Sequence, residues 1–183
     1  DIVENVEESE KFHINADVRN VDFSSIVKEV NDKVLEESEG IAKGLEASDK
    51  HTLYREEAEF VDEKVLEVGD EKITAEKIII ATGSRPMVPP IEGLDEVDFL
   101  TSKEALSLDE CPEQIVMIGG GYISLELAHF FDKMGSEVTI LERSSLLLQR
   151  EDREIAEKIT ELAKNKYNVF TEVSAQEVLE DNG

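Results

Sequence analysis

The sequence predicts an α/β protein built in two parts, and three observations predict it. From Gln114 onward, apolar runs alternate with amphipathic stretches in the order strand, helix, strand, helix, strand, the pattern of a parallel sheet with helical crossovers. Before that point, three short β-rich runs follow one long helical stretch. Ile78, Ile79 and Ile80 then form a continuous apolar run, as in a strand buried on both faces. At 183 residues the chain is long enough for one large domain or two small ones, with a sizeable core.

Taken in order, residues 22–47 read as an amphipathic helix. Ser24 or Ser25 caps its start, and Ile26, Val30, Val34, Ile41 and Leu45 fall near helical spacing. The runs "TLYREEAEFV", "KVLEVG" and "EKITAEKIIIA" read as three strands, with Gly69-Asp70 as the hairpin turn between the last two. Pro86, Pro89 and Pro90 exclude helix from the irregular stretch 86–112, which is the natural boundary. Within it, "TSKEALSL" is at most a short helix capped by Thr101 or Ser102. Beyond the boundary, "QIVMIG" is a buried strand, "GYISLELAHFFDKMG" a helix ended by Gly135, and "SEVTILER" a second strand. "EDREIAEKITELAKNK" is a charged helix with Ile155, Ile159 and Leu162 on its apolar side, and residues 167–183 add one or two strands.

The three consecutive glycines of "VMIGGGYISLELA" raise a choice between a tight turn and close backbone approach to a phosphate. Gly119 to Ser124 fit the pattern G-x-G-x-x-small, and they lie between a predicted strand and a predicted helix, the context a dinucleotide fingerprint requires. Gly119 permits the turn, Gly121 lets the helix N-terminus approach a pyrophosphate, and Ser124 is small enough for helix to lie on strand. Glu142 ends the second strand 23 residues past Gly119, where a carboxylate accepts both hydroxyls of an adenine ribose and repels a 2′-phosphate. Charge-assisted hydrogen bonds at that position favour NAD over NADP by about 10- to 100-fold. Arg143 is expected to face solvent. The phosphate reading is preferred over the bare turn.

Composition removes several function classes. The formal net charge is −25, from 44 acidic against 19 basic residues, and both halves share the excess. Such a field repels nucleic acid and anionic membrane surfaces; it fits a heavily solvated acidic surface, with adaptation to salt as the alternative. No run approaches the roughly 18 apolar residues of a membrane span. The opening "DIVENVEESE" is acidic where a secretory signal is basic and then apolar. It begins without Met in helix-like sequence, so it reads as starting inside a larger chain. Cys111 is the single cysteine, which rules out an internal disulfide and suits a reducing, cytoplasmic compartment. His13, His51 and His129 are scattered without metal-ligand spacing, and no metal is expected.

"IIIATGSRP" followed some forty residues later by "IGGGYISLELAHFFDKMGSEVTILER" resembles the pyridine nucleotide–disulphide oxidoreductases. Within that family the chain is most similar to dihydrolipoamide dehydrogenase, although mercuric, mycothiol-disulphide and glutathione reductases share the architecture. The resemblance implies that residues 1–112 are the later part of a doubly wound FAD-binding domain with its three-stranded β meander, plus a linker. Residues 113–183 would be the first half of a Rossmann-type NAD-binding domain. It implies that electrons pass between NAD(H), FAD and a redox disulfide, with a small-molecule or lipoyl-domain disulfide as substrate. It also implies a homodimer formed through a C-terminal domain. Carried over by motif, Ala58, Thr82 and Gly83 would lie against FAD, while Gly119, Gly121, Ser124 and Glu142 would hold NAD. Tyr122 and Ile123 would line the nicotinamide path, and Glu126 matches a glutamate that partners a lysine beside the flavin.

The sequence departs from the family pattern in several places. It lacks the N-terminal glycine fingerprint for FAD, the Cys-x-x-x-x-Cys pair and the C-terminal His–Glu pair. Ser124 replaces the usual Gly or Ala, and Glu56 and Glu57 stand where relatives often carry Gly and Thr. With one cysteine, these residues alone cannot run dithiol chemistry. A non-catalytic dinucleotide sensor is the rival of a different class, and "ATGSRP" argues against it, because a sensor needs no flavin segment.

Overall fold

The computed structural model describes residues 1–180; the end of the expected last strands, residues 181–183, lies outside them. The chain forms two compact units, Val30–Pro86 and the remainder, Asp1–Glu29 with the chain from Met87 onward.

In the Val30–Pro86 unit, strands β1 (Ala58–Asp62), β2 (Val65–Val68) and β3 (Glu71–Thr74) form an antiparallel meander in the order β1-β2-β3. Val68 pairs with Glu71, so Gly69 and Asp70 make the predicted two-residue turn. The strands are shorter than their apolar runs, and one expectation fails. Ile78–Ile80 is not a strand: the backbone there has no ladder partner among the described residues, and Ile79 and Ile80 are 89% and 70% exposed. An apolar run becomes a buried strand only where neighbouring strands and covering layers receive it.

Ahead of the meander, α2 (Phe23–Glu46) matches the predicted span within a residue at each end. Its cap is neither expected serine. Asp22 accepts from the Ser25 backbone N–H at 3.0 Å and from the Ser25 hydroxyl at 2.8 Å, which makes Ser25 a donor to the cap. Phe23 and Val27 are buried, whereas Val30, Val34 and Ile41 of the expected stripe are exposed.

The larger unit is organised by a parallel sheet of β4 (Gln114–Ile118), β5 (Glu137–Glu142) and β6 (Asn168–Thr171), in that order. Ile115 pairs with Val138 and Ile118 with Leu141, while Thr139 pairs with Asn168 on the other side. The two crossovers carry α4 (Tyr122–Met134) and α5 (Arg153–Lys166), as the alternating pattern requires. Two shorter α-helices, α1 (Ile2–Glu7) and α3 (Ser102–Ala105), also belong to this unit, the latter with a Thr101–Glu104 capping box.

The core gathers Met117, Val138 and Ile140 of the sheet, Ala128 and Phe131 of α4, Ala163 of α5, and Leu147, with Phe23 and Val27 packed in. Phe130 and Phe131 meet edge to face at 5.2 Å between ring centroids. Gly135 closes α4 in the left-handed conformation, as expected. The buried face of α5 sits one residue away from the predicted one. Ala156, Thr160 and Ala163 are buried, whereas Ile155 and Leu162 are about half exposed.

Candidate functional site

The site is assembled by the turn between β4 and α4 and by the end of β5. Along β5 the buried positions alternate, Val138, Ile140, Glu142, so the strand's period of two delivers a carboxylate to a place that an apolar residue would otherwise fill. Glu142 is only 6% exposed. A charge so placed needs partners, and it has two: Oε2 accepts from Gly120 N–H and Oε1 from Ser144 N–H, each at 2.7 Å. Burial pushes the Glu142 carboxyl upward, but the backbone N–H groups of Gly120 and Ser144, with the Ser144 side chain and the Arg143 charge, together outweigh it and hold the carboxyl below its ordinary range. Each oxygen keeps a lone pair for a further donor.

The three glycines have three different reasons for being glycine. Gly119 has φ +102°, a conformation that side chains rarely adopt, and its N–H continues the sheet by donating to Leu141 at 2.8 Å. Gly120, the middle residue that the fingerprint leaves unspecified, is packed: a Cβ there would lie 2.2 Å from Leu147 Cδ2 and 3.3 Å from Glu142 Oε2. Gly121 is the opposite. Its φ of −79° and ψ of 177° suit any residue, and nothing stands within 4 Å of where its Cβ would be.

Gly121 is also the N-cap of α4. At the positive end of α4, therefore, no side chain caps the helix and nothing lies within 4 Å of where a Gly121 Cβ would be, an arrangement suited to an anion. Ser124 is half-buried in the first turn; Tyr122 is 66% exposed, Ile123 43%, and Glu126 is exposed. Arg143 is exposed, as expected. The geometry gathers Gly119, Gly121, Ser124 and Glu142 around one turn. The contributions of Gly120, Ser144 and Leu147 had no sequence signal, because they arise from tertiary packing.

Ala58, Thr82 and Gly83, carried over as FAD contacts, lie in the other unit. Ala58 is exposed at the start of β1, and Thr82 and Gly83 are exposed in an irregular segment, Gly83 with φ +74° and open space around it. In the larger unit, His129 meets Asp1 and Glu4, which its sequence position did not reveal. Glu4 is engaged by Lys166 at 2.8 Å, a hydrogen bond that holds its carboxyl below the usual range, and His129 Nε2 is 3.6 Å from Asp1. Lys166 and Glu4 form an ion pair there. No helix among the described residues is long and apolar enough to cross a membrane.

A parallel sheet with a glycine turn, an uncapped helix N-terminus and an acid closing the second strand defines a dinucleotide-binding α/β module. Residues 3–183 match the family model described as "Pyridine nucleotide-disulphide oxidoreductase", and the chain belongs to that family. It is 39% identical to a mercuric reductase of Bacillus cereus over 169 residues, 92% of this chain and 27% of that protein. It is 42% identical over 101 residues to a mycothione reductase of Mycobacterium tuberculosis, 55% of this chain and 22% of that protein. The structure of a Cu(II) complex of the HOCl-induced flavoprotein disulfide reductase RclA from Escherichia coli superimposes with a TM-score of 0.80 and 29% identity. That match covers 99% of this chain and 40% of RclA. The chain thus spans about a quarter of the length of the curated relatives it matches. FAD and NAD(P) are the cofactors of the family.

Proposed function

We propose that this chain supplies the pyridine-nucleotide site of a flavoprotein disulfide oxidoreductase, passing electrons between NAD(H), FAD and a redox disulfide. Gly121 carries the reading. Neither its backbone conformation nor its neighbours call for glycine, whereas a ligand phosphate seated on the bare N-terminus of α4 does. In this reading Gly119, Gly121 and Ser124 hold the pyrophosphate end and Glu142 accepts from the ribose hydroxyls. Tyr122 and Ile123 border the nicotinamide side. Glu126 belongs to the flavin side, with Ala58, Thr82 and Gly83 contributing to the FAD site. When bound, the nicotinamide supplies or accepts hydride; this chain's residues bind and orient it. Residues 1–112 belong to the FAD-binding domain and its linker, and residues 113–183 to the NAD-binding domain.

Dihydrolipoamide is the leading substrate on the resemblance of the glycine and "ATGSRP" motifs. A second reading, a mercuric or mycothione reductase, is favoured by the names of the relatives. The enzyme is read as cytoplasmic and homodimeric. The test is steady-state kinetics of the complete flavoenzyme with NADH and NADPH, using lipoamide, mercuric ion and mycothione in turn as the oxidised or reducible partner. A preference for NADH that Glu142→Arg weakens or reverses supports the assignment. Equal kinetics with both nucleotides in the unmodified enzyme contradicts it.

A further inference from the structure

The buried stripe of α5 contains one polar side chain, Thr160, between Ala156 and Ala163. A hydroxyl in that position needs partners, and those it has lead to the glycine turn. Thr160 Oγ1 donates to the carbonyl of Ala156 at 2.7 Å and accepts from the Leu147 N–H at 2.9 Å. Leu147 is fully buried, and its Cδ2 closes the space over the Gly120 Cα. The next residue, Leu148, holds the rest of that peptide: its N–H donates to the Gly120 carbonyl at 2.9 Å, and its own φ is +49°, the left-handed region that a residue with a Cβ avoids. With Glu142 Oε2 on the Gly120 N–H, the middle glycine is gripped at its N–H, its Cα and its carbonyl. At its two neighbours, Gly119 and Gly121, nothing lies within 4 Å of where a Cβ would be.

We propose that Thr160, acting through Leu147 and Leu148, is a positioning residue that presets the glycine turn for the dinucleotide phosphates. The proposal rests on the nucleotide-site reading above. It assigns to residues 147, 148 and 160 a share of nucleotide affinity although none of them is in the fingerprint. An outlying backbone conformation at Leu148, held by its neighbours, is the kind of feature that a preset binding loop retains. Loosening the turn would tax nucleotide binding without touching hydride chemistry at saturation.

The experiment compares Thr160→Val with Thr160→Ser in the complete flavoenzyme, reading NADH Kd, KM and kcat, FAD content and Tm. Valine keeps the shape and removes both hydrogen bonds. The expected result is a rise of about 3- to 10-fold in NADH Kd and KM, with kcat changed by less than about 2-fold and FAD retained. Serine should restore affinity. A lowered Tm with unchanged NADH affinity overturns the proposal. If Thr160→Val does not fold, Gly120→Ala serves instead: it should weaken NADH binding, and adding Leu147→Val should recover part of the loss; no recovery counts against the clamp. Gly121→Val separates the two levels. If it leaves NADH affinity intact, the nucleotide-site reading falls. If it abolishes binding while Thr160→Val and the Gly120–Leu147 pair change nothing, only the positioning role falls.

Discussion

Glu142 does two things that its position in the sequence presents as one. The strand's alternation places it among Val138 and Ile140, and the two backbone N–H groups it accepts make it a structural member of the turn before any nucleotide arrives. Glu142→Gln should therefore destabilise the folded chain by about 1.5–3 kcal/mol at neutral pH, the range for hydrogen bonds to a charged group. Because the folded carboxyl sits below its ordinary range, that contribution is complete above the unfolded value and lost as pH falls through the folded one. Urea melts of both proteins from pH 7 down to pH 3 should show the gap closing on the acid side. A gap of constant size across that range would mean that the carboxylate charge plays no part.

At the scale of elements, the parallel sheet and the irregular segment that holds Ile78–Ile80 should respond differently to substitution. Ile140 is fully buried at the centre of β5, so Ile140→Ala should cost about 2–5 kcal/mol. Ile79, 89% exposed, should tolerate Ser within about 0.5 kcal/mol in the 183-residue chain. Chemical denaturation of the two variants checks this, and a large loss at Ile79 would contradict the exposed placement.

The same contrast explains what the sequence could reveal. β4, α4 and β5 were legible because their signals are local: apolar runs of strand length, a glycine turn, and a helix with Gly135 at its end. Ile78–Ile80 misled because burial of an apolar run depends on what covers it, which no local pattern encodes. On α5 the large residues Ile155 and Leu162 marked the wrong stripe. Small Ala156, Thr160 and Ala163 face the core, where close approach favours small side chains. Spacing singled out Gly119, Gly121 and Glu142, and the fold brings these three to one turn. The gripping of Gly120 by Leu147, twenty-seven residues on, was not legible, since only the fold brings them together.

Over the whole molecule, a formal charge of −25 sets a background of self-repulsion. Salt screens it, with a Debye length that shrinks from about 30 Å at 0.01 M to about 10 Å at 0.1 M. Thermal melts should accordingly rise with added NaCl between those concentrations, and a Tm that falls would show that the surface ion pairs outweigh the repulsion.

The central claim, that the open glycine turn exists to seat a dinucleotide, meets its most direct test in Gly121→Val within the complete flavoenzyme. Valine suits the extended backbone of Gly121, and nothing within 4 Å opposes its Cβ, so Tm should fall only modestly. FAD, assigned to the other unit, should be retained. NADH binding and NADH reduction of the flavin should be lost, measured by titration and by bleaching of the flavin absorbance on the same preparation. A large fall in Tm with normal NADH affinity would contradict the claim and return the three glycines to turn geometry alone.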